Sequence, residues 1–303
     1  MKIFVTGGGG FLGTHLVAAL KNSGHIVTAP TSKECNLTTH EGLQKFPARA
    51  YDQIFHLAAW TQAGDFCLHH PGEQWVLNQE INTNVLNWWN EEQPAAKLIA
   101  MGSSCCYDPD APHVEENFLR GVPTESLFTY AMTKRMLYVG LTALTKQFGR
   151  KYLFAVPSTL YGPGYHLDGR QMHFIFDLMR KIVDAKYGRS EVTLWGNGSQ
   201  VRELVHVDDF VSALLQVNHS VENEIVNIGA GQGHTIKEFA SELCSIIGYD
   251  ASKIHYDATK YTGALEKVLN TEKLKKLLPE LSLRPLSKGL SETVKWYIEK
   301  TQR

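Results

Sequence analysis

The chain has no long apolar run, no excess of charge of either sign and few cysteines, and each shortage excludes something. No stretch approaches the length of a membrane span. The opening "MKIFVTGGGG" sets one lysine before three apolar residues, too few for the apolar core of a signal peptide. The expected location is the cytoplasm, with no membrane partner. Lys and Arg number 30 against 31 Asp and Glu, so no global field is available to hold nucleic acid, and anionic ligands must be held by local devices. The five cysteines (35, 67, 105, 106 and 244) are odd in number and scattered without CxxC spacing. That argues against a disulfide framework and a zinc site, and no metal is expected. Adjacent cysteines such as Cys105 and Cys106 also bridge each other poorly, because neighbouring backbone geometry strains the bond. Their purpose has to come from their surroundings.

What is present is the pattern of an α/β chain. Its 303 residues are 43% hydrophobic and 20% charged, enough for one large domain or two interleaved ones. Short apolar segments at 2–6, 25–29, 52–59, 97–102 and 152–157 read as buried strands. Helical patterns lie between them near 11–23, 39–46, 73–92 and 126–148. Such alternation implies right-handed crossovers and a doubly wound parallel sheet of Rossmann type. The second half is more mixed. It has a helix near 171–184, the segments "VTLWGNG", "VHVDDFVSALLQV" and "EIVNIG", a helix opening at Thr235, and a last 40 residues expected to be helical and charged.

"VTGGGGFLG" (5–13) follows the first strand and opens the first helix, with Gly7, Gly10 and Gly13 at G-x-x-G-x-x-G spacing. Glycine there allows the tight turn, the approach of backbone to a pyrophosphate and close helix–strand contact, while the helix N-terminus supplies amides and a positive dipole end. The segment reads as a dinucleotide site, with Phe11 and Leu12 in the same turn. An NAD site normally ends its second strand on an acid that holds the ribose hydroxyls. Here "TAPTSKE" has none from Thr28 to Ser32, and Lys33 follows, which favours the 2′-phosphate of NADP(H).

Tyr130 and Lys134 of "FTYAMTKRM" stand four apart on a predicted helix and share one face. A phenol beside an ammonium can do acid–base work at a carbonyl, and the lysine is expected to lower the phenol pKa from about 10 toward neutrality. The serine pair of "GSSCCY" after the fourth strand completes a catalytic pattern.

With these motifs the chain resembles the extended short-chain dehydrogenase/reductases that act on nucleotide sugars. The marks are "TGGGGFLG", "HLAA" (56–59), "GSSCCY" (102–107), "YAMTK" (130–134), "LYGP" (160–163), "RELVHVDD" (202–209) and "NIGAG" (227–231). The resemblance implies that Ser103 orients a carbonyl oxygen, Tyr130 donates the proton, and Lys134 tunes Tyr130 and bonds the nicotinamide ribose. It adds Leu57, Ala58, Ala59 and Pro157 to the cofactor site. It also implies a dinucleotide-binding domain of 1–161 plus 203–230 and a smaller α/β substrate domain of 162–202 plus 231–303.

Within the family the likeness is greatest to enzymes that epimerise a GDP-linked 4-keto-6-deoxyhexose at C3 and C5 and reduce it at C4, giving GDP-L-fucose. On that likeness Cys105 and His173 are the epimerisation pair, and Cys106 is a small buried residue. Thr159, Lys181, Trp195, Arg202 and Lys267 contact the substrate. The chemistry suits the residues: a C4 ketone acidifies C3–H and C5–H, and a thiol (about 8.5) and an imidazole (about 6.5) exchange such protons near neutral pH. The chain departs from these enzymes at Thr159, where they usually have Asn, and in "AAWTQAGD" and "GYHLDGR", all bordering the sugar pocket. Two other readings stay open. One is a 4-reductase or 4-epimerase of another nucleotide sugar, with Cys105 idle. The other is a non-catalytic NADP sensor, against which the intact Ser103/Tyr130/Lys134 set argues. The helices at 73–92 and 126–148 carry more large apolar residues than one face needs, including Trp75, Trp88, Trp89, Met136 and Leu137, which implies a homodimer built on them.

Overall fold

The computed structural model describes residues 1–64, 66–260 and 263–301. Asp65, the last residue of "AAWTQAGD", and Tyr261 and Thr262 lie outside the described residues. The first half runs β1 (Lys2–Thr6), α1 (Phe11–Asn22), β2 (Ile26–Thr28), α2 (Glu41–Gln44), β3 (Gln53–His56), α3 (Phe66–His69), α4 (Pro71–Glu92), β4 (Lys97–Met101), α5 (Phe128–Phe148) and β5 (Tyr152–Pro157). Every residue of β4 and all but the last of β5 are buried, as parallel strands covered on both faces must be. The strand expected over 52–59 stops at His56. Beyond it the Leu57 amide is shared between the Thr6 carbonyl (3.3 Å) and the Thr6 hydroxyl (3.2 Å), and the Ala58 amide turns to that hydroxyl at 3.2 Å. The helix expected over 39–46 is a single turn, and α5 starts at Phe128 after a 3₁₀ turn at Glu125–Leu127.

The second half runs β6 (Thr159–Tyr161), α6 (Phe174–Lys186), β7 (Thr193–Trp195), β8 (Val201–His206), α7 (Val207–Ser220), β9 (Glu224–Ile228), β10 (Gly233–Thr235), α8 (Ile236–Ile247), β11 (His255–Asp257), β12 (Glu266–Lys267), α9 (Glu272–Leu277) and α10 (Leu286–Thr301). Helix α8 opens at Thr235 as expected, through a capping box with Glu238. Among the described residues of the last 40, the helices are α9 and α10. Pro279 and Pro285 lie between these helices, and β12 precedes them.

The main sheet is parallel, in the order β2-β1-β3-β4-β5-β9. The order reverses at β1, so a crevice opens beyond the carboxyl ends of β1 and β3, where α/β sheets bind ligands. Alternate residues of each strand feed two cores. Phe4, Ile54, Leu98 and Phe154 pack under α4 and α5, while Ile3, Phe55, Ile99 and Leu153 pack under α1 and α7. A second sheet, β10-β8-β12 with β6 beside β8, shares a third apolar cluster with α6, α8 and α10. Of the apolar surplus on α4 and α5, Ile81, Val85, Trp88, Trp89, Leu137 and Leu141 are spent on the chain's own core. Trp75 and Met136 stay 41% and 42% exposed, joined by Val76 and Val139. Among the described residues no helix is long and apolar enough to cross a membrane.

Candidate active site

At the crevice, Gly7 has φ +69, and a Cβ there would sit 2.8 Å from the Ala58 nitrogen. A Cβ on Gly13 would meet the Gly7 carbonyl oxygen at 2.1 Å. Only glycine fits either position. Helix α1 begins without a side-chain cap and without an acid in its first turn, so its amides face the crevice unpaired by side chains. Phe11 and Leu12 begin that helix. Leu57, Ala58 and Ala59 follow β3, and Pro157 ends β5. The residues present therefore suit a pyrophosphate. Lys33 is exposed beyond β2. The acid next to it, Glu34, is turned back on Thr31, accepting its N–H at 2.8 Å and its hydroxyl at 2.9 Å.

A buried network braces this loop against α5. His56, fully buried, bonds Thr6 Oγ1 at 2.8 Å through Nδ1 and Asn82 Oδ1 at 3.1 Å through Nε2, and the Asn82 amide donates to the Thr133 carbonyl at 3.3 Å. The amide oxygen accepts, so Nε2 carries the ring proton. Burial, and then the Lys134 charge, lower His56 to about 4, which keeps it neutral. The sequence reading passed over His56 and Asn82, although "HLAA" contained the first.

Tyr130 and Lys134 lie on α5 as expected, with the Lys134 ammonium 5.9 Å from the Tyr130 ring centre and Lys134 only 3% exposed. Burial lowers Lys134 to about 8. The expected fall in the Tyr130 pKa is not found. Burial, and then the nearby thiols of Cys105, Cys106 and Cys67, push the phenol above its ordinary value, because desolvation disfavours a phenolate. Tyr130 is thus held protonated, the form a proton donor needs.

Ser103 lies two residues beyond β4 and caps a one-turn 3₁₀ helix over Ser104–Cys106, its hydroxyl accepting the Cys105 N–H at 3.3 Å. The two thiols part company there. Cys106 is fully buried, 3.5 Å from the Ala131 carbonyl, and burial raises it to about 12. Cys105 is half-buried and faces a pocket also lined by His113, Thr124, Ser126, Arg202 and Lys267. Its sulfur lies 3.4 Å from the Lys267 Nζ. Burial alone would raise this thiol, but the Lys267 charge, the Ser103 hydroxyl and Arg202 outweigh it and hold Cys105 below the usual thiol value. Arg202 and Lys267 are register partners of the parallel β8·β12 pair, which sets the two cations side by side.

Other side chains hold these two elements in place. Arg135, 5% exposed, forks onto the Cys106 carbonyl (3.0 and 2.6 Å) and reaches the Gly121 carbonyl at 2.8 Å, fixing the cysteine turn. Glu203, 2% exposed, accepts the amides of Gly231 and Leu269, each at 2.8 Å, and so anchors the chain just after Lys267. Burial raises Glu203 to about 6. Both lie inside quoted segments, "FTYAMTKRM" and "RELVHVDD", but the backbone groups they hold are remote in sequence and no motif names them.

His173 is the residue just before α6 and not a member of the helix. It keeps contact with solvent, while the cleft walls, Lys267 and His166 hold its imidazole below the ordinary range. Lys181 is drawn to Asp177 at 2.9 Å, Thr159 opens β6, and Trp195 ends β7 with 61% of its surface exposed. These three lie away from the Cys105 pocket lining.

Comparison with known proteins matches residues 3–229 to the family described as NAD dependent epimerase/dehydratase. A probable GDP-L-fucose synthase of Oryza sativa is 32% identical over 98% of this chain and 92% of its own length. Among solved structures, a GDP-L-fucose synthetase from Naegleria fowleri superposes with a TM-score of 0.86 at 22% identity, covering 99% of this chain and 94% of that one. A GDP-6-OMe-4-keto-L-xylo-heptose reductase from C. jejuni reaches 0.87 at 20% identity, covering 100% and 98%. With most of its length matched and its glycine loop, crevice and Tyr130/Lys134 helix in place, this chain belongs to the NAD dependent epimerase/dehydratase family.

Proposed function

We propose that this protein is an NADP(H)-dependent 3,5-epimerase/4-reductase of a GDP-linked 4-keto-6-deoxyhexose and forms GDP-L-fucose. The observation that carries the reading is the Cys105 sulfur 3.4 Å from Lys267, in a pocket that Arg202 also lines. A reductase without epimerisation has no use for a thiol poised as a base. The relatives named GDP-L-fucose synthase support the same substrate class.

In this reading Cys105, as thiolate, removes a proton from the carbon next to the ketone. Lys267 and Arg202 stabilise the charge on sulfur before the transfer and the enolate after it. Neutral His173, across the cleft, exchanges a proton on the other face. Ser103 and Tyr130 hold the C4 oxygen, and Tyr130 gives it the proton that completes reduction. Bound NADPH supplies the hydride; Gly7, Gly10, Phe11, Leu12 and Gly13 with Leu57, Ala58, Ala59 and Pro157 would hold it, and Lys134 its ribose. Trp195, Thr159 and Lys181 bound the space for the nucleotide and sugar. The division into a dinucleotide domain (1–161 plus 203–230) and a substrate domain (162–202 plus 231–303) has support in outline from the separate sheets, although β6 and β8, which these bounds give mostly to the first domain, pair in the second sheet.

The direct test offers GDP-4-keto-6-deoxymannose with NADPH and identifies the product sugar by NMR. GDP-L-fucose is expected, and a product unchanged at C3 and C5 favours the simple reductase. Because Glu34 is engaged with Thr31 while Lys33 is open to solvent, NADPH should exceed NADH in kcat/KM by at least about tenfold, as one charge-assisted phosphate contact would give. Equal use of NADH would remove Lys33 from the cofactor site. The exposed Trp75, Val76, Met136 and Val139 on α4 and α5 further support a homodimer, and light scattering at micromolar concentration should give twice the 34.0 kDa chain mass. A monomer would refute it.

A further inference from the structure

The His15 ring has a hydrogen-bond acceptor at each nitrogen. Nδ1 lies 2.6 Å from Asp208 Oδ1, and Nε2 lies 2.9 Å from the Pro163 carbonyl oxygen. A carbonyl accepts only, and so does an ionised carboxylate, so both ring nitrogens carry protons and the ring is an imidazolium. The groups around it fit that charge. On α7 stand Asp208 and Asp209, with His206 3.7 Å from Asp208. From the C-terminal segment Arg284 comes within 3.8 Å of both carboxylates and is itself paired with Glu292. The loop side presents the Tyr165 phenol, with His166, Asp168 and Arg170 farther along it, and α1 presents the edge of Phe11 at 5.6 Å.

Where the pinned segment leads gives the contact its meaning. Two residues after Pro163, Tyr165 stacks on Phe176 at 3.8 Å and meets Phe11 edge-on at 5.2 Å. Its hydroxyl accepts the backbone N–H of His173 at 3.2 Å. Phe11 and His15 lie one turn apart on α1, the helix whose N-terminus is the dinucleotide loop. The cofactor helix thus grips the 163–165 segment at two points, and that segment grips the residue before α6.

We propose that His15 is a positioning residue for His173: as an imidazolium it pins the 163–165 segment to the cofactor helix, and Tyr165 passes that constraint to the His173 backbone. Only the kinetic part of the test rests on the epimerase/reductase reading. The bond to Asp208, more than any other cause, raises the His15 pKa above its usual 6.5. The stabilisation is therefore complete below the unfolded imidazole value and is lost as pH climbs through the higher folded one.

The test follows full-length protein with ¹⁵N-labelled histidine by NMR from pH 6 to 9, with His15→Gln identifying the His15 signals. Both His15 nitrogens should show imidazolium shifts at pH 7. The His173 signals should move as His15 titrates, and should lose that movement in His15→Gln and in Tyr165→Phe. A singly protonated His15 at pH 7, or His173 signals indifferent to both substitutions, overturns the proposal. In the kinetic arm, His15→Gln can satisfy only one of the two acceptors with its amide protons. It should slow solvent deuterium exchange at C3 and C5 by about fivefold or more while holding hydride transfer to an already epimerised ketone within about twofold. Equal losses in both reactions would mark a purely structural residue and also overturn it. A wild-type enzyme with no exchange at all would sink the epimerase reading, and the NMR result would still decide the role of His15.

Discussion

Tyr130→Phe lowers reduction of the 4-keto sugar by on the order of a hundredfold or more, while folding and NADPH binding survive. The substitution removes one hydroxyl. Burial and the neighbouring thiols keep that hydroxyl protonated, so the ground state already holds the proton that the developing C4 alkoxide requires. Without it the oxygen must draw a proton from water or from Ser103, whose acidity is far lower. The structure also sets the shape of the pH profile. A phenol held above its ordinary pKa leaves reduction level across neutral pH, whereas one lowered by Lys134 would cut the rate as pH passed neutrality. Single-turnover NADPH oxidation at several pH values measures both. Near-wild-type turnover in Tyr130→Phe would show that the proton comes from elsewhere.

Cys105→Ser slows solvent deuterium exchange at C3 and C5 by on the order of 10² or more and spares hydride transfer to an already epimerised ketone. A hydroxyl is far too weak an acid to serve as a thiolate-type base, and Lys267 cannot compensate for that difference. Lys267→Met should weaken exchange by a different route. With the ammonium gone, burial prevails and the Cys105 pKa rises, so the pH dependence of its alkylation by iodoacetamide moves to alkaline pH. Cys106→Ser separates the two thiols. The shorter C–O bond draws the hydroxyl away from the Ala131 carbonyl, leaving a buried polar group poorly bonded, at a cost of about 1–3 kcal/mol of stability with both chemical steps retained. Mass spectrometry of substrate incubated in heavy water with oxidised cofactor reads the exchange, and thermal unfolding reads the stability. Wild-type exchange in Cys105→Ser would leave a simple reductase or 4-epimerase.

Much of this molecule was legible in the residues because local spacing determines it. Glycine spacing after a short apolar strand marks a tight strand-to-helix turn, and the structure has that turn, with no room for a side chain at Gly7 or Gly13. Tyr130 and Lys134 share a face because four residues make about one helical turn. The thiol of Cys106 was expected to be buried, and it is. Element edges were less legible. The strand expected to reach residue 59 ends at His56; the Leu57 amide still reaches the Thr6 carbonyl, but the Ala58 amide turns to the Thr6 hydroxyl.

Tertiary structure alone decided what is set by distance across the chain and by burial. Lys267 and Cys105 are 162 positions apart, and His15 and Asp208 are 193 apart. Their contacts depend on how β12 pairs with β8 and how α1 packs on α7, which no local pattern encodes. Burial also reversed one expectation drawn from spacing. Lys134 stands one turn from Tyr130 as read, yet the phenol pKa goes up, because the energy of desolvating a charge depends on everything that surrounds it. Residue order determined which groups can share a helix face or a turn. The fold determined which of them lie within bonding distance and which keep their protons, because both depend on atoms brought in from remote parts of the chain.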